Sequence, residues 1–220
     1  MNYYPLETAA TTMARKIKIL FLSADPVKVN PRPRIGKEFS EIAKRIQVGS
    51  YKDRFELVSA WAVSPADLQE LILEHQPDVL HLSVPGSSKG IVLEDEDGEF
   101  KPVSSEALKN LLALFKAEIK IVFLNARCSK SQREALNGVI DYTIIMNRAI
   151  QDKSAIRFAA AFYRSLAFGK NVVTAFELSK NDLDLQSLPG TDAPELLVRP
   201  TVNTAPPFVE SLGAVGDAAT

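Results

Sequence analysis

Twelve residues constrain the fold of this chain more than any others: Glu118 to Ser129, EIKIVFLNARCS. Ile119–Leu124 is a β-favouring, nearly all-apolar run, the pattern of a strand buried on both faces in a mainly parallel sheet. The run breaks off abruptly at Asn125-Ala126-Arg127-Cys128-Ser129. In an open α/β sheet, ligands and reacting groups gather just beyond the carboxyl ends of the strands. This strand end is therefore a candidate site, and its only rival is Val79–Gly86, VLHLSVPG, a second apolar run that ends in a loop.

The rest of the chain alternates strand and helix around these two runs. Lys16–Ala24 reads as a buried strand, followed by a loop marked by Asp25-Pro26 and Asn30-Pro31-Arg32-Pro33. A helix over Ile35–Ile46 puts Ile35, Phe39, Ile42, Ala43 and Ile46 on one face. A strand over Phe55–Val63 leads into a helix that Ser64-Pro65 starts, with Leu68, Leu71 and Ile72 inward. After the strand Val79–Ser83, Ile91–Leu93 and Phe100–Val103 flank Asp97-Gly98, whose positive-φ preference marks a hairpin. Ser104 caps a helix striped with Ala107, Leu108, Leu111, Leu112 and Phe115, and Glu106 sits near the capping-box position. A short helix over Ser131–Asn137, a strand over Val139–Met146 and two helices, Asp152–Phe168 and Asn171–Leu185, follow, with Glu195–Arg199 as a last strand. The expectation is one α/β domain over residues 15–199, with helices on both faces of a mainly parallel sheet of about six strands and a β-hairpin insertion. Residues 1–14 read as a flexible arm, within which Met13 is a candidate start, and 200–220 as a flexible tail rich in Pro, Gly, Ala and Thr.

Composition excludes some function classes. With 26 Lys+Arg against 27 Asp+Glu, the net charge of −1 gives no global field for nucleic acid or membrane. Charge is uneven, with eleven Lys/Arg against five Asp/Glu in residues 1–54 and an acidic run at Glu94–Asp97. Both are read as solvated faces. No apolar stretch approaches the ~20 residues of a membrane span, and Ile17–Ala24 lacks the features of a signal peptide. One cysteine permits no intrachain disulfide, which fits a reducing, cytoplasmic setting. Two histidines and one cysteine cannot form a four-ligand His/Cys metal cluster, and no glycine-rich phosphate loop follows any strand. Asp25 ends the first strand as a phospho-acceptor would, but without a neighbouring acidic pair. No metal or cofactor is expected.

Several ordered blocks then point one way: PDVLHLSVPGSSKGIVLEDEDG, VSSEAL, IKIVFLNARCS, and the long segment from Tyr142 to Leu185. Together they resemble the CHAT domains, caspase-like clan-CD peptidases related to separase and the caspases. The resemblance runs from about Lys16 to Arg199, and Arg34-Ile35-Gly36-Lys37-Glu38-Phe39 fits the family's first helix. It implies a caspase-like α/β/α sandwich. In that family a His-Phe-Ser-Gly-His-Gly block carries the catalytic histidine. Here the block reads His81-Leu82-Ser83-Val84-Pro85-Gly86, so Pro85 stands at the histidine position. The family's Leu-Asn-Ala-Cys reads Leu124-Asn125-Ala126-Arg127, so Arg127 stands at the nucleophile position and Cys128 is displaced by one.

A cysteine peptidase needs a thiolate and an imidazole within hydrogen-bond reach. Proline offers neither a base nor an N–H, and arginine stays protonated. A one-residue shift in extended backbone reverses side-chain direction, so Cys128 is expected to point away from the cleft, and His81 to be a satisfied core histidine. The expectation is a catalytically inactive pseudopeptidase acting as a protein-interaction or regulatory module, in a bacterial signalling or defence system as the resemblance implies. Its binding cleft would comprise Asp25, Ser83, Gly86, Asn125, Arg127 and Ser129, and a protein or peptide segment would be its partner, with no nucleic acid or membrane. An active peptidase using a displaced Cys128/His81 pair is the alternative, and a nucleotide or phospho-signalling module stays open behind it.

Overall fold

Among the described residues, the strands are β1 (Ile17–Ser23), β2 (Phe55–Ala60), β3 (Val79–Ser83), β4 (Gly90–Glu94), β5 (Phe100–Ser104), β6 (Ile121–Arg127), β7 (Tyr142–Met146) and β8 (Pro194–Val198), most of them short apolar runs. The computed structural model describes residues 15–24 and 34–212. Residues 1–14, Asp25 with the rest of the loop 25–33, and residues 213–220 lie outside the described residues. Six strands form one sheet in the order β2-β1-β3-β6-β7-β8. The first five run parallel and β8 pairs antiparallel to β7. β4 and β5 form the separate hairpin, whose turn places Gly98 at φ 73°. Asp95 folds that turn by accepting hydrogen bonds from the amides of Asp97 and Glu99, so part of the acidic run has a local structural use.

Period-two alternation sends successive side chains of each strand to opposite faces. Ile19, Phe21 and Phe123 enter one core, and Leu20, Leu22 and Leu124 the other. The first core is covered by α1 (Arg34–Gln47), α5 (Asp152–Ala167) and α6 (Val172–Leu185). The second is covered by α2 (Pro65–His75), α3 (Ser105–Leu114) and α4 (Lys130–Leu136). The caps explain where these helices begin. Ser64 and Asp67 form a capping box with Pro65 in the first turn, and Ser129 and Gln132 form another. Ser104 caps α3 alone, because the residue at the third helical position is Ala107; the Glu106 carboxylate pairs with Lys109 instead.

The tail expected from Pro200 onward is not free over its described part. It folds back and ends in α7 (Phe208–Ser211), which buries Phe208, Val209 and Leu212 in the first core. The amide of Phe208 donates to the carbonyl of Lys170, and Asn171 Nδ2 to the carbonyl of Ala205. Composition alone pointed to a loose segment. Three apolar side chains within five residues are enough to dock it.

Candidate functional site

The ends of β3 and β6 lie side by side, as parallel neighbours must. β3 stops at Ser83, and Val84-Pro85-Gly86 carries the chain out to a single bridge between Gly86 and Ile91. β6 runs on to Arg127, and its pairing with β7 shifts register between Phe123 and Arg127. The two ends touch through main chain: a Cβ on Gly86 would sit 2.3 Å from the carbonyl oxygen of Arg127. Only glycine permits that approach.

Two connected recesses open here. The larger, of about 480 Å³, is lined by Ser87, Ser88, Ser129 and Asn147 beside Arg127 and Lys130, and the largely buried Cys128 also borders it. The smaller, of about 170 Å³, is walled by Val84, Pro85, Met146, Ala149 and Ile150. Gly86 and Arg127 border both. Pro85 and Arg127 therefore meet at one cleft, as their sequence positions required. Arg127 is exposed and has no ion-pair partner among the described residues. Ser129 lines the larger recess while capping α4.

The structure separates the other pair. Cys128 is buried in the second core, where its thiol lies 3.6 Å from the carbonyl oxygen of Ala126. Burial pushes that thiol up to about 12. His81 points to the opposite face, fully buried between the rings of Phe21 and Phe123, with centroids 4.7 and 4.5 Å away. The sheet lies between them, so the displaced Cys128/His81 pair does not assemble.

His81 instead belongs to a buried polar cluster beneath the cleft. Its Nδ1 is 3.0 Å from the Tyr163 hydroxyl, and its Nε2 is 3.2 Å from Glu38 Oε1. The Nε2 contact is within ion-pair range but misaligned for a linear hydrogen bond. The remaining Glu38 contacts are well made: Ser83 Oγ donates to Oε2 and Asn125 Nδ2 to Oε1, both at 2.7 Å. Burial pushes the Glu38 carboxyl up, but His81, Ser83 and Asn125 together outweigh it and hold the group below its ordinary value. Burial, and then the Glu38 charge, push Tyr163 well above a normal phenol.

Two expected cleft residues thus move. Ser83 is not a lining residue; alternation turns it inward to Glu38. Asn125 borders the smaller recess, but its amide is committed to the same carboxylate. Asp25 lies outside the described residues. Glu38, the hub, escaped sequence reading although a signal existed. It lies four and eight residues before Ile42 and Ile46, on the apolar stripe of α1, and a carboxylate on such a stripe demands buried partners.

Among the described residues, no three His, Cys, Asp or Glu side chains converge to hold a metal ion, and no helix is long and apolar enough to cross a membrane. Comparison with known proteins agrees with the fold. A family model described as the CHAT domain matches residues 7–195. A "Roc-COR-CHAT protease" from an unknown prokaryotic organism is 29% identical over 174 residues, covering 76% of this chain. A "Probable protease" of Gillisia limnaea (strain DSM 15749 / LMG 21470 / R-8282) is 24% identical over 136 residues, covering 60% of this chain. The chain spans only 16% and 24% of the lengths of these two relatives. Caspase-1 from Spodoptera frugiperda superposes with a TM-score of 0.54 at 11% identity, covering 84% of this chain and 87% of its own. Its pro-form gives 0.53 at 13%, covering 85% and 92%.

Proposed function

This chain belongs to the CHAT domain family, and from that premise we propose that it is a catalytically inactive member: a pseudopeptidase that works as a protein-interaction or regulatory module. One observation carries the reading. The exposed end of β6 presents Arg127 beside Pro85, while the single thiol is turned into the opposite core from the single imidazole of the strand pair. A thiol held up at about 12 is almost wholly protonated at neutral pH. An imidazole sealed between two rings cannot reach a substrate carbonyl. Losing either group of such a pair costs orders of magnitude in rate.

What remains is a cleft with a rigid main-chain floor, suited to holding a peptide segment. Partnership with another component of a bacterial signalling or defence system, and residence in the cytoplasm, belong to the same reading. The first rests on kinship with the prokaryotic relative, the second on the lone free cysteine.

The test is labelling with a thiol-reactive peptide probe, read by mass spectrometry. The expected result is slow, unsaturable modification of Cys128. Rapid, saturable labelling that His81→Ala abolishes would overturn the proposal. So would cleavage products from a mixed peptide library, an arm that needs no variant to fold.

A further inference from the structure

Resting on the binding reading above, we infer that the strand-end cleft takes an extended peptide segment in which an acidic residue adjoins an aliphatic one, with Arg127 as the anchor for the carboxylate. The two recesses differ in chemistry and share one wall. The larger is lined by hydroxyl and amide side chains, two cations, Gly86 and Cys128, and no carboxylate lines it. The smaller is largely aliphatic, and its other cation, Arg148, already pairs with Asp192. Arg127 stands where the recesses join.

Among the described residues, Arg127 makes no ion pair, unlike its neighbours. Lys130 has Glu134 at 4.0 Å, and Arg133 and Arg199 are paired to Glu195 and Asp141. A guanidinium left free at the mouth of a polar recess offers a planar fork that a carboxylate fills bidentately. Ser88 and Asn147, which line the same recess, make no side-chain hydrogen bonds among the described residues and can meet peptide amides and carbonyls. The combined space falls in the size range of ligand sites. A nucleotide suits it less well, because no aromatic side chain lines either recess to stack a base.

The geometry decides which segment fits. The carboxylate enters the wide, cationic recess. The neighbouring aliphatic side chain enters the narrow one, against Val84 and Ile150. Because the recesses meet at Gly86, the peptide backbone crosses over that glycine.

The experiment uses the full chain and fluorescent tetrapeptide pools, each with one fixed residue, read by anisotropy at low and high salt. Pools fixed as Asp or Glu should bind, and their Asn and Gln counterparts should bind about tenfold more weakly, as for the loss of one charged hydrogen bond. Raising the salt should narrow that difference. Arg127→Ala should abolish the acidic preference, and Arg127→Glu should shift it to Lys and Arg pools. Arg127 is exposed, so neither change threatens folding. No acidic preference, or one that survives both variants, overturns the inference, as does tighter binding of ATP than of any pool. Mass spectra of the same pools separate this from the broader reading: cleaved peptides refute the inactive module, whereas intact but undiscriminated peptides refute only the acidic anchor.

Discussion

Replacing Glu38 with alanine should destabilise the protein by about 4 kcal/mol, and the figure follows from what the carboxylate holds. Glu38 is fully buried and accepts from Ser83 and Asn125 at 2.7 Å, with His81 Nε2 at 3.2 Å. Removing it leaves two buried donors, Ser83 and Asn125, without their acceptor, at roughly 1–3 kcal/mol each. Breaking a buried ionic cluster from one side costs about 3–5 kcal/mol, which brackets the same value. With a urea slope near 2 kcal/mol/M, the midpoint should fall by about 2 M at unchanged slope. The lone tryptophan, Trp61, reports the transition, since its ring packs against Phe21 and Phe39 at the edge of the cluster. Glu38→Gln keeps the volume and one acceptor, so it should cost less. The pH dependence supplies an independent check. The folded carboxyl is held below its ordinary 4.5 and returns to it on unfolding. A group lowered by folding contributes its full stability above the unfolded value and loses it as pH falls toward the folded one. The stability gap between wild type and Glu38→Gln should therefore be flat near neutrality and shrink below about pH 4.5. A Glu38→Ala loss under about 1 kcal/mol, or a gap that widens in acid, would refute the carboxylate as the hub.

Three further outcomes test other parts of the structure. Gly86→Ala should cost about 2 kcal/mol by chemical denaturation and weaken peptide binding, because the new methyl meets the Arg127 carbonyl oxygen at 2.3 Å and main chain must move. Phe208→Ala should lose about 3 kcal/mol, on the order of 10 °C in Tm by calorimetry, although it lies in a segment that composition marks as loose. Alkylation of Cys128 by iodoacetamide should keep rising with pH from roughly 6 to 10 without a plateau, as a thiol at about 12 requires; a plateau near 8 would contradict its burial.

The layered architecture was legible because its causes are local. Unbroken apolar runs marked the strands, Asp97-Gly98 marked the hairpin, and Ser64 and Ser104 marked helix starts. His81 was legible as a core histidine because it sits mid-strand in a run buried throughout. The packing of Cys128 with the second core followed the expected alternation, but the residue still borders the larger recess, so it does not leave the cleft altogether. The polar cluster was not. Glu38 joins Ser83 across 45 residues and Asn125 across 87, and no local pattern names such partners. Ser83 was misplaced for the same reason: its run promised a strand end at the cleft, but its inward face was already claimed. The docked tail was missed because Phe208 and Val209 are too few to make a period.

Phe21, His81 and Phe123 occupy matched positions on three adjacent strands, and their rings lie nearly parallel, at 21° and 12°. In a close-packed interior a phenyl ring turns only when its neighbours yield space. Here the shared neighbour is an imidazole tethered at one nitrogen by Tyr163 and drawn at the other to Glu38. The imidazole thus forms one fixed wall of the space each phenyl would need to turn. The centre of the sheet is braced at once by ring packing and by the polar contacts of its one imidazole.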